Sequence, residues 1–166
     1  MMSRLLLAGC LLLLVVSGVM LWSSRHPLIV DDVYPGNACP ELLEKADILY
    51  IIPFKDNTSI AREMEWCSTV TSLNKTLGLH GIRHTYHEFA GKISDEALQE
   101  AILAFKNCFG SRPSLFRPPY NLISSENRER VEKLNMTMYA TPFFLHPYCH
   151  CNPQSWMRLL NGMIGC

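Results

Sequence analysis

Hydrophobic positions fall into short uninterrupted runs separated by amphipathic stretches, and the first run is the longest: Leu5 to Trp22 reads LLLAGCLLLLVVSGVMLW, with no charge. As a helix these eighteen residues would reach ~27 Å at about 1.5 Å per residue, close to the hydrocarbon thickness of a thin bilayer. Signal peptides carry apolar cores of only ~7–15 residues, so an uncleaved anchor is favoured over a cleaved signal, and a buried soluble helix ranks third. Arg4 and Arg25 flank the run symmetrically and do not set its orientation. Residues 1–27 are assigned to an anchor or signal peptide plus hinge, and residues 28–166 to a single domain.

Within that domain, Leu28-Ile29-Val30 reads as a buried strand ending on Asp31 and Asp32, followed by a turn at Tyr34-Pro35-Gly36-Asn37. Asp47 to Phe54 is a second strand-like run, closed by Pro53. A helix is expected from Thr58 as its cap, with Ile60, Met64 and Cys67 on one face. Leu77 to His80 is a further short strand. Ser94 to Phe109 is the clearest helix, with a serine cap, a stripe of Leu98, Ile102, Phe105 and Phe109, and Gly110 as the stop. Ser114 to Phe116 leads into Arg117-Pro118-Pro119-Tyr120, expected to be extended because of its prolines. Ser124 to Leu134 reads as a polar, serine-capped helix and Met138 to Leu145 as a last strand. Strands alternating with helices predict an α/β architecture with mostly parallel strands, because parallel crossovers need a helix to return the chain.

The 166 residues leave room for one such domain. Fifteen basic and fifteen acidic residues balance, which argues against a nucleic-acid partner. Of seven cysteines, Cys10 lies in the apolar run and six follow it, an even number that suits disulfides in an oxidising compartment but leaves their connectivity open. Cys149-His150-Cys151 is a second metal-like cluster, yet its ligands are packed too tightly for finger spacing, and disulfides are the favoured reading there. Asn57, Asn74 and Asn135 head N-x-Ser/Thr triplets, in keeping with a secretory route; each is as readily an unmodified surface asparagine.

Two carboxylates side by side after a buried strand repel each other unless a cation or hydrogen bonds compensate. HGIRH, His80 to His84, sets two imidazoles four residues apart, able to point at one ion from a helical turn or a compact loop. One Asp oxygen with two His nitrogens makes a three-ligand site open to water, the arrangement of a hydrolytic rather than a structural zinc. Taken singly, Asp-Asp is more often a turn or helix start, H-x-x-x-H a pair of unrelated histidines, and RPPY a rigid loop; the weight lies in their order.

That order, Asp-Asp ending the first strand, then H-x-x-x-H, then R-P-P-Y, resembles the polysaccharide deacetylase (NodB-like) family of carbohydrate esterases over Ile29 to Leu160, and within it a small uncharacterised branch. The resemblance implies a distorted, here abbreviated, (β/α) barrel-like domain preceded by the N-terminal hydrophobic helix. It implies that Asp32, His80 and His84 hold a divalent metal of the zinc type and that Asp31 is the base. Arg117 would pair with Asp31, Pro119 and Tyr120 would wall the groove with the Tyr120 N–H at the oxyanion, and His146 of FFLHP would be the acid. Tyr148, next to His146, is the aromatic expected to line the groove. The implied substrate is an acetylated polysaccharide or amino sugar. The short interval between Arg117 and His146 departs from the family pattern, since further strand-helix units are expected there. Two alternatives follow: a carbohydrate-binding membrane protein that keeps the fold without turnover, or a hydrolase of another amide or ester. The expected location is a single-pass membrane anchor with the domain in the secretory lumen or outside, or alternatively secretion.

Overall fold

The computed structural model describes residues 9–11, 13–14, 17–18, 27–37, 39–139, 148–151 and 166. Most of Leu5–Trp22, and His146 with it, lies outside these residues. Among the described residues no helix is long and apolar enough to cross a membrane.

The frame is a six-stranded sheet built from β1 (Ile29–Val33), β2 (Ile48–Ile51), β5 (Thr76–His80), β6 (Leu115–Arg117), β7 (Thr137–Met138) and β8 (Tyr148–His150). Its order is β7-β6-β5-β2-β1-β8 and every pairing is parallel. Strands step outward from β1 to β7, and β8 then returns to the opposite side of β1, the step by which a (β/α) barrel brings its last strand back to its first. The fold is α/β, as the alternation predicts.

Among the described residues, four α-helices accompany the sheet: α1 (Pro40–Lys45), α2 (Met64–Ser72), α3 (Asp95–Phe109) and α4 (Ser125–Lys133). The Ser94 hydroxyl accepts from the Ala97 N–H to cap α3, and Gly110 ends it in the left-handed conformation, φ 76°. Ser124 caps α4 through the Asn127 N–H. Leu98, Ala101, Ile102 and Phe105 of α3 are buried in one core with Leu49, Ile51, Leu79 and Phe116 of the strands. A disulfide, Cys67–Cys108, joins α2 to α3. Cys39–Cys151 and Cys149–Cys166 complete the pairing of the six cysteines after Cys10, so Cys149 and Cys151 hold bridges rather than an ion.

Three local expectations change. Thr58 does not cap a helix: Phe54–Lys55 (β3) and Thr58–Ser59 (β4) form a small antiparallel hairpin, and Ser59 instead caps a 3-10 turn at Ile60–Arg62. The helix starts only at Met64, which is exposed, while Ile60 and Cys67 are buried. After Arg117 the chain is not extended throughout, because Pro119–Asn121 is a 3-10 turn with Tyr120 left-handed at φ 56°, ψ 15°. Asn57, Asn74 and Asn135 are all exposed and left-handed, at φ 62°, 54° and 60°, the conformation asparagine tolerates in tight turns.

Candidate metal centre

The carboxyl ends of β1, β5, β6 and β8 carry Asp31 and Asp32, His80, Arg117 and His150, and the loop after β5 adds His84. In open and closed α/β sheets this end is where loops free of the ladder can gather functional groups. Adjacent strand residues ordinarily face opposite sides. In β1 the register shifts between Val30 and Val33, and Asp32 takes φ 61°. This irregularity aims the two aspartates at one site from neighbouring positions. The Asn37 side-chain amide donates to the Asp32 carbonyl and steadies the distortion.

Asp32, His80 and His84 each offer a ligand atom, and the three atoms lie within 4.8 Å of one another. Asp32 Oδ1 is 3.4 Å from His80 Nε2 and 2.9 Å from His84 Nε2. This oxygen is buried and accepts no well-aligned hydrogen bond from protein among the described residues. His80 Nδ1 lies 3.0 Å from the Arg117 carbonyl, which only an Nδ1–H can satisfy; the neutral ring then keeps its lone pair on Nε2, facing the cluster. Oxygen plus two imidazole nitrogens is a donor set suited to a zinc-type divalent ion, and the residues fit one.

The electrostatics agree with a cation here. Burial alone would raise the pKa of Asp32, but the neighbouring rings of His150, His80 and His84 outweigh it and hold the carboxyl far below the ordinary carboxylate range. Burial favours a neutral His80, yet the charge of Asp31 and the contact with Asp32 prevail and raise it above its usual value. A field that retains a proton on a buried imidazole is one that attracts a metal cation in its place.

Asp31 is 2% exposed and Arg117 1%, and Arg117 Nε donates to Asp31 Oδ2 at 2.8 Å. The Arg117–Asp31 pairing that the resemblance implied is present. The loop holding His84 is set from three sides. Gly81, φ 68°, passes against Pro119: a Cβ there would lie 2.4 Å from Pro119 Cγ and 2.5 Å from Glu88 Oε2. Glu88 accepts from the Ile82 N–H at 2.9 Å and the Arg83 N–H at 2.7 Å. The His84 ring stacks toward Tyr120 at 5.0 Å, and Tyr120 meets Tyr86 edge-on at 5.3 Å.

Sequence reasoning missed Glu88, Tyr86 and His150. His150 Nδ1 lies 2.6 Å from Asp32 Oδ2. Its signal was present in Cys149-His150-Cys151, since strand alternation puts the histidine on the face opposite both cysteines. The structure brings together Asp31, Asp32, His80, His84 and Arg117, with Pro119 and Tyr120 alongside. Tyr148 opens β8, beside β1.

No protein-family model matches the chain, and no curated protein sequence matches it. Solved structures do match in fold. A CE4 family pseudoenzyme from Bacillus anthracis shares 16% identity at a TM-score of 0.60, over 84% of this chain and 58% of that one. A family 4 carbohydrate esterase from Streptomyces lividans, in complex with acetate, gives 18%, 0.54, 68% and 59%. The chitin deacetylase of Colletotrichum lindemuthianum gives 14%, 0.52, 69% and 55%. The chain spans less than two thirds of the length of each of these three. Its fold is that of the CE4, NodB-like polysaccharide deacetylases.

Proposed function

We propose that this protein is a metal-dependent hydrolase that removes acetyl groups from an acetylated polysaccharide or amino sugar. The observation that carries the proposal is the convergence of Asp32, His80 and His84 on one position, with the buried Asp31–Arg117 pair beside it. A divalent metal held by those three residues would supply a Lewis acid that activates water and polarises the acetyl carbonyl. Asp31, oriented by Arg117, accepts the proton of the attacking water. The Tyr120 backbone N–H is the candidate donor to the oxyanion, favoured by the left-handed turn that sharpens the chain there. Protonation of the leaving amine is assigned to His146. The exposed rings of Tyr86 and Tyr120, continuous with His84, offer an apolar face for a sugar ring. Tyr148 is assigned to the groove on its place near His146 in the sequence.

The location is part of the same reading: the Leu5–Trp22 run, as anchor or signal, delivers the domain to the secretory lumen or beyond, where three disulfides persist. Asn57, Asn74 and Asn135 are then glycosylation sites. Asn74 and Asn135 precede β5 and β7, at the end of the sheet away from the metal centre, whereas Asn57 contacts Arg83, next to His84.

A second reading has its own support: one fold neighbour is a pseudoenzyme, and only 28 residues lie between Arg117 and His146. Here the protein binds acetylated sugar without turnover. Acetate release from chitin oligosaccharides by zinc-loaded protein separates the two. The hydrolase reading expects release that is lost in Asp31→Asn and His80→Ala; retention of the oligosaccharide with no acetate from any acetylated sugar establishes the binding reading instead.

A further inference from the structure

Asp32 is held from two directions that a metal site treats differently. Its Oδ1 faces the Nε2 atoms of His80 and His84, while its Oδ2 lies 2.6 Å from His150 Nδ1. An Nδ1–H donating to Oδ2 fixes the carboxylate's rotation and commits one oxygen, so that Oδ1 alone is presented to an ion. His150 comes from β8, a three-residue strand at the end of the sheet whose ladder partner is β1, with His150 opposite Asp31. So short a strand has few ladder bonds to hold it. Both neighbours of His150 are nevertheless anchored covalently. Cys151 is bridged to Cys39, 112 residues away, and Cys149 to Cys166. Cys39 lies two residues past Asn37, whose amide holds the Asp32 carbonyl. The Cys39–Cys151 bridge thus ties the segment that shapes the Asp32 backbone to the strand that orients its side chain.

We propose that His150 is a positioning residue for the metal ligand Asp32, and that the two disulfides flanking it hold it in place. The inference rests on the metal-centre reading above. It assigns the Cys-His-Cys triplet a single purpose, in which the cysteines secure the strand and the histidine sets the ligand. Hydrogen-bonding partners behind a ligand commonly change metal affinity 10–100-fold when removed.

The test is the Zn2+ affinity of the full, disulfide-intact chain, measured by competition with a chromophoric chelator. His150→Ala is expected to weaken binding by roughly 10–100-fold. His150→Asn, which keeps an N–H donor at a similar reach, recovers part of that loss. The paired substitution Cys39→Ser/Cys151→Ser weakens Zn2+ binding in the same direction. Cys67→Ser/Cys108→Ser, which removes the bridge between α2 and α3, lowers stability and leaves affinity within about twofold; it controls for a general loss of stability. Equal affinity in wild type and His150→Ala overturns the proposal even if acetate release is lost, since His150 would then serve only the chemistry. Failure of the wild-type chain to bind Zn2+ is a different result, and refutes the metal-centre reading itself.

Discussion

The Arg117–Asp31 pair can be taken apart with a defined energetic outcome. Both side chains are at most 3% exposed and the Nε–Oδ2 distance is 2.8 Å, so neither charge has water to turn to. Two unit charges ~4 Å apart at an effective dielectric near 20 attract by about 4 kcal/mol. Removing one partner of such a buried pair costs about 3–5 kcal/mol, because the survivor is left charged and unpaired. Arg117→Met keeps most of the volume and removes the charge, so it should lose ~3–5 kcal/mol of unfolding free energy, or roughly 6–20 °C in Tm for a domain of this size. Asp31→Asn in the same chain removes the stranded carboxylate. The double variant should therefore be more stable than Arg117→Met alone, with a coupling energy of about 2 kcal/mol or more. Urea denaturation under non-oxidising, non-reducing conditions reads both values. A loss below ~1 kcal/mol for Arg117→Met, or simple additivity in the double variant, would refute the claim that Asp31 is held by a buried charge pair.

Other consequences are as specific. Gly81→Ala meets both a left-handed backbone and the Pro119 ring, so it should destabilise by more than ~1 kcal/mol and loosen metal binding through His84, whereas Gly110→Ala, with open space around its Cβ, carries only the backbone strain. Glu88→Ala frees the Ile82 and Arg83 N–H groups and should cost roughly 1.5–3 kcal/mol by thermal denaturation; a neutral result would remove Glu88 from the account of the loop. Tyr86→Ala should raise KM for a chitin oligosaccharide several-fold while leaving hydrolysis of a small aryl acetate unchanged, and equal effects on both substrates would deny the ring a sugar-binding role. In metal-free protein, the contribution of Asp32, whose pKa is depressed, is complete above the unfolded value of 3.8 and is lost as pH falls through its folded value. The contribution of His80, whose pKa is raised, is complete below 6.5 and is lost as pH rises through its folded value. Metal-free stability should thus decline as pH rises from about 6.5 toward the folded value of His80, because the native chain there holds a proton the unfolded chain has released, and a steady rise from pH 6.5 to pH 9 would contradict that sign.

What could be read from the sequence was local. Ser94 and Gly110 bracket α3 because cap and stop act within a turn of the helix they end, and the β-branched runs of β1 and β2 need no tertiary information to be seen. Asp31, Asp32, His80 and Arg117 were legible because each follows an apolar run, and His84 through its four-residue spacing from His80; their order resembles a family pattern. The hairpin at Phe54–Ser59 was hidden because Thr58 and Ser59 are equally good caps, and the left-handed Asp56 and Asn57 between its strands decide the matter. The six residues of α1 and the three of β8 are too short to show a period. The shift of register at Asp32 lies in its pairing with β2, and His150 meets a partner 118 residues away; no window of sequence shows either contact.

The central claim is tested most directly by anomalous diffraction from crystals of the protein grown with zinc. One strong peak is predicted, ~2.0–2.2 Å from Asp32 Oδ1, His80 Nε2 and His84 Nε2. Zinc bound elsewhere, or a cluster whose carboxylate and imidazoles turn apart with no peak between them, would contradict it.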